Sequence, residues 1–64
     1  MRIHDAAILR RAKQLCEADR MAWDHAMLIA KRGSGVKGAL DDAGRRDYLM
    51  RARAQLFEES GGAA

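Results

Sequence analysis

The side chains of this 64-residue chain that could act as nucleophiles are Cys16, Ser34 and Ser60, and those that could act as bases are His4 and His25. A catalytic nucleophile needs a base within hydrogen-bond reach and a rigid support for both. Cys16 falls on the apolar face of a helical pattern, where a free cysteine behaves as a small buried hydrophobe. Ser34 stands in a glycine-rich loop and Ser60 in a glycine-rich end, and neither gives that support. Asp24 and His25 are adjacent, which is not a chelating spacing on a helix, and no Cys/His set has zinc-site spacing. Gly33, Gly35 and Gly38 formally satisfy G-x-G-x-x-G, but that fingerprint has meaning only between a strand and a helix, and no strand is expected here. Lys37 precedes Gly38 and no Ser or Thr follows, so the loop is not a P-loop either. The chain is therefore expected not to be an enzyme and to use no cofactor, metal or small-molecule substrate.

Phosphate recognition is the other chemistry the residues could perform. Arginine outnumbers lysine nine to three, and guanidinium groups suit bidentate contact with phosphate. The candidate contacts are Arg10, Arg11, Lys13, Lys31, Arg32, Lys37, Arg45 and Arg46. The net charge of +3, with nine acidic residues interspersed, permits nucleic-acid binding without demanding it. A solvated helix surface would show the same residues. Trp23 and Tyr48 are needed inside, so base stacking on a single strand is disfavoured and a duplex backbone is the better expectation.

Three helices must position these groups. Absence of proline, abundant Ala and Arg, and few aromatic or β-branched residues favour an all-α chain. A first amphipathic helix lies within residues 1–20, with Ile8, Leu9, Ala12, Leu15 and Cys16 on one face and Asp5 as its N-cap. The pattern loses phase around residues 18–22. A second helix is expected from near Trp23, presenting Trp23, Ala26, Met27 and Ala30 on one face, with Leu28 off it. Trp23 should anchor the core. Glycines at 33, 35 and 38 stop that helix, and residues 33–39 form a basic loop. A long third helix follows, from a cap at Asp41 or Asp42 to Glu59. Its stripe of Tyr48, Leu49, Ala52 and Leu56 should face the core, while Met50 and Phe57, seven apart, form a second stripe.

The expected architecture is thus a small three-helix bundle, or an open three-helix arrangement, with a long C-terminal helix. Residues 1–59 form one domain and 60–64 a disordered tail. A single cysteine excludes an internal disulfide, and a chain this short holds a small core, so a marginal monomer or an oligomer is expected. Met50, Phe57 and Leu28 are the candidate interface of a homodimer or of a contact with another protein. The second stripe could instead pack in the V between the first two helices. No stretch resembles a signal peptide or a membrane span, so a cytoplasmic location without membrane contact is expected.

In order, Trp23 opening the second helix, Leu40, a short acidic turn, Arg45, Tyr48 and Ala52 resemble the second half of an HMG box. The resemblance covers about half of the chain. It lacks that family's basic, proline-containing N-terminal strand, its helix two is interrupted by the glycine loop, and Asp41 stands where the family has serine. It implies a three-helix domain that bends duplex DNA. Of the two readings, duplex nucleic acid is slightly favoured over a protein partner, on charge.

Overall fold

The computed structural model describes residues 4–61. Three helices, α1 (Asp5–Ala18), α2 (His25–Ala30) and α3 (Asp42–Glu59), alternate with two two-residue strands, β1 (Met21–Ala22) and β2 (Gly38–Ala39). The expected all-α class holds in its essentials, with the long C-terminal helix in place. The expectation of no strand does not hold. Met21 pairs with Gly38 and Ala22 with Ala39 in a parallel bridge, and α2 lies in the crossover between them. A parallel pair needs a connection of a dozen or more residues, which the segment from Trp23 to Lys37 supplies. Neither strand is β-branched, so the bridge leaves no propensity signal.

This small β-α-β unit does not revive the dinucleotide fingerprint. Gly33 and Gly35 follow α2 and lead toward β2, whereas the fingerprint requires glycines between the first strand and the helix. Their φ angles of 86° and 84° explain why glycine is used there: the chain turns through the left-handed region twice in three residues.

The start of α3 is written locally. Asp41 is its N-cap and accepts a hydrogen bond from the Gly44 amide at 2.7 Å. A Cβ on residue 44 would stand 3.1 Å from that carboxylate oxygen, which accounts for a glycine in a first turn. Asp24 caps α2 in the same way, through the Met27 amide at 2.8 Å. At α1 the cap is His4, without a side-chain bond, and the expected cap Asp5 is the first helical residue.

The core lies between α1 and α3. Its buried residues are Ala12, Cys16, Tyr48 and Ala52, with Ile8, Leu15, Met21, Trp23, Leu40 and Leu49 packed half-buried around them. The first and third helices run in opposite senses, since Arg11 reaches Glu59 while Asp19, just past α1, meets Tyr48. By contrast, α2 packs on the two strands and makes no packing contact with α1 or α3. The arrangement is therefore the open one, and α3 does not sit in a V between two helices.

Two local expectations fail for the same reason. Trp23 precedes α2 and is only half-buried, and Ala26 and Ala30 are exposed while Met27 and Leu28 are half-buried. The helix begins two residues later than its pattern suggests and rests on the bridge, so its covered side changes. Leu28 is thereby turned inward, and Ile29, 58% exposed, is the outward hydrophobe of α2. Of the expected tail, Ser60 caps α3 and Gly61 donates its amide hydrogen to the Glu58 carbonyl; residues 62–64 lie outside the described residues.

Ala12 and Ala52 have no exposed surface, so the α1–α3 contact has no room for a larger side chain. Ala52→Leu should therefore destabilise the fold by about 1–3 kcal/mol through overpacking. Ala6→Leu, on the exposed side of α1, should change stability by less than about 0.5 kcal/mol. Urea unfolding followed by circular dichroism measures both, and equal effects would contradict this packing.

Candidate functional site: an apolar stripe and a divided set of cations

The eight expected phosphate contacts do not form one surface group. Three are engaged within the fold. Arg11 forms an ion pair with Glu59 through both terminal nitrogens and also donates to Gln55 at 3.1 Å. The hydrogen bond from Arg11 and its charge hold the Glu59 carboxyl below the usual carboxylate range, and raise Arg11 itself. Lys31 pairs with Glu17 at 2.7 Å. Arg45 donates to the carbonyls of Leu40 at 2.7 Å and Trp23 at 3.2 Å, and also pairs with Asp42. Its planar fork thus ties the chain leaving each strand to the first turn of α3, a geometry that lysine cannot reproduce.

Arg10, Lys13, Arg32, Lys37 and Arg46 have no carboxylate partner among the described residues. Two arginines outside the expected set are in the same position and prove more informative. Arg53 lies with Arg46 on a groove of about 420 Å³ between α1 and α3, whose apolar wall includes Ile8, Leu9, Leu49 and Met50. Arg20 lies with Lys31 and Arg32 on a separate cleft at the end of α1. The sequence signal for Arg20 was the loss of helical phase around it; for Arg53 it was the i, i+7 spacing from Arg46 along one helix edge.

Met50 is 66% exposed and Phe57 46% exposed, and neither belongs to the core cluster. At 100° per residue, Ala43, Met50, Ala54 and Phe57 fall on one stripe of α3, opposite the buried Tyr48 and Ala52. Arg46 and Arg53 run along one edge of that stripe; along the other run Asp47, which pairs with Arg51 at 2.6 Å, and Glu58. Leu9, 38% exposed, extends the apolar surface onto α1 beyond the arginine edge. Leu28, the third expected interface residue, is half-buried on α2 and stands apart from this surface.

Tyr48 and Cys16 serve the fold. Tyr48 donates its hydroxyl hydrogen to Asp19, and that bond, together with burial, pushes its phenol up; Arg51 covers the ring face, 5.1 Å from its centroid. Burial also raises the Cys16 thiol, whose hydrogen points to the Met21 carbonyl at 3.3 Å. A thiol held neutral in this way is a poor nucleophile. Among the described residues there is no cluster of His, Cys, Asp and Glu that could hold a metal ion, and no helix is long and apolar enough to cross a membrane.

No family model matches the chain, and no curated protein or solved structure matches it.

The split between engaged and free cations is directly measurable. Arg45→Ala removes charged hydrogen bonds to two carbonyls and should cost about 1–3 kcal/mol of stability. Arg46→Ala, one residue on and without a partner, should change it by less than about 0.5 kcal/mol. Urea midpoints for the two variants give the comparison, and a neutral Arg45→Ala would remove its role as a clamp.

Proposed function

We propose that this chain is a protein-interaction module that acts as a homodimer, joined through the outer stripe of α3. One observation carries the reading. Among the described residues, those buried are Ala12, Cys16, Ala22, Tyr48 and Ala52, while no leucine, isoleucine, valine, methionine, phenylalanine or tryptophan is. Small domains draw most of their stability from burying such large side chains, at about 1.5–3 kcal/mol each. Here the surface that would supply that burial faces outward along Met50 and Phe57, with Leu9 beside it.

A second copy is the occupant that fits the charges. The stripe has a basic edge, Arg46 and Arg53, and a second edge on which Asp47 is paired with Arg51 and Glu58 has no cation partner among the described residues. A two-fold axis parallel to α3 sets the basic edge of one protomer against the Glu58 edge of the other, with Arg53 near Glu58 of the partner subunit. An axis perpendicular to the helix would set arginine against arginine. The parallel arrangement is therefore the one that electrostatics favours, as edge charges do in coiled coils.

The duplex nucleic-acid reading receives less support, because Arg11, Lys31 and Arg45 are occupied within the chain. The free cations divide between the groove beside the stripe, the cleft at the end of α1, α1 itself and Lys37 before β2.

Sedimentation velocity at tens of micromolar should give a dimer for the wild type. Phe57→Glu and Met50→Glu should each weaken association at least tenfold, about 1.4 kcal/mol, while keeping the helical signal, because both side chains are exposed and neither belongs to the core cluster. Arg53→Glu should also weaken it, and Arg53→Glu combined with Glu58→Arg should restore it. A monomeric wild type overturns the proposal; a dimer indifferent to Phe57 and Met50 overturns the interface.

A further inference from the structure

The end of the molecule away from the α3 stripe carries a second surface with a different chemistry. Where α1 stops, Asp19 is the C-cap and Arg20 follows with φ of 59°. That left-handed position after a helix is usually glycine, because a Cβ there is strained. Glycine is used at the two left-handed positions of the nearby loop, Gly33 and Gly35, yet an arginine occupies this one. Its conformation is held by the Lys37 amide, which donates to the Arg20 carbonyl at 2.8 Å next to the bridge. Backbone strain kept at a position that a less strained residue could fill is a reason to ask what the side chain does.

The side chain lines a cleft of about 440 Å³ with Lys31, Arg32 and Glu17, closed on its apolar side by Met21 and Val36. Glu17 is paired with Lys31, so the lining carries three cations against one carboxylate. Neither Arg20 nor Arg32 has a carboxylate partner among the described residues. The C-terminal ends of α1 and α2 both border this cleft, through Glu17 and Ala30, and their partial negative charges offset at most roughly one unit. Two free guanidiniums and the paired ammonium leave the cleft positive. Lys37, bonded through its amide to Arg20, brings a fourth cation into the same stretch of chain.

We propose that the cleft formed by Arg20, Lys31 and Arg32 binds a phosphate group. Two guanidinium forks present paired N–H donors to the oxygens of one tetrahedral anion, and the Lys31 ammonium supplies a point charge shared with Glu17. The group could be a free phosphate or a phosphodiester of a nucleic-acid backbone, since the recognising chemistry is the same. This site does not depend on the homodimer: it lies at the junction of α1, β1 and the loop after α2, and includes no residue of α3.

The test uses the whole chain, labelled with nitrogen-15, and amide shifts in two titrations: inorganic phosphate, and a short DNA duplex. Each is run against sodium chloride at matched ionic strength. Phosphate should produce saturable shifts centred on the amides of Arg20, Lys31, Arg32 and Val36. Arg20→Gly is the decisive variant, because glycine accepts the left-handed conformation without strain and the fold should remain at least as stable. It should weaken binding about tenfold or more, and Arg32→Ala should do the same. A duplex bound much more tightly than phosphate, with affinity falling steeply with salt, identifies a nucleic-acid backbone as the source. A duplex bound no better than inorganic phosphate identifies a free phosphate group. Shifts no larger than those from chloride in both titrations, or binding unchanged in a folded Arg20→Gly, overturn the proposal.

Discussion

Ala12 of α1 and Ala52 of α3 meet with no exposed surface, Cys16 lies beside them, and the ring of Tyr48 closes the contact. Small side chains at a helix crossing let the two axes approach, and the distance between helices is set by what stands at the crossing. Close approach has a cost in burial. The larger apolar side chains of both helices cannot fit inside it, so Ile8, Leu15, Leu49 and Leu56 are half covered and Met50 and Phe57 remain exposed.

Polar clamps hold what this thin core does not. Tyr48 reaches Asp19 at the end of α1, Arg11 reaches Glu59 at the end of α3, and Arg45 gathers the carbonyls of Trp23 and Leu40. Exposed ion pairs alone contribute little, since solvent screens them and ordering two long side chains costs entropy. The Arg45 bonds are different, because charged hydrogen bonds to partly buried carbonyls fix the small β-α-β unit against α3. These uses of charge decide which cations are left for partners, among them Arg46 and Arg53 beside the apolar groove and Arg20 and Arg32 in the cleft.

Helix α3 was legible because each of its parts is local. An aspartate cap at Asp41, a stripe at three- and four-residue spacing and the end at Glu59 all lie within a single run of chain. The separation of Met50 and Phe57 into a second stripe followed from the same periodicity, but whether that stripe packs in a V between the first two helices or faces outward did not. Helix α2 was misjudged because six residues are too few for a period to show, and a start two residues later exchanges Leu28 for Ile29 on the outer side. The parallel bridge was invisible, since Met21, Ala22, Gly38 and Ala39 carry no strand preference. The role of each cation was not legible either. Arg11 and Glu59 are joined across 48 positions, and only the fold brings them together.

The stripe and the cleft use separate parts of the chain, so a dimer built on α3 would leave both of its clefts open to solvent. What links the account is the claim that the protomer is incompletely buried and is completed by its partner. Thermal unfolding followed over a hundredfold range of protein concentration tests that claim most directly. Unfolding coupled to dissociation makes the midpoint rise steadily with concentration, and this is the result expected here. A midpoint independent of concentration, with a cooperative transition at every dilution, would show that the thin core of α1 and α3 is sufficient alone and would contradict it.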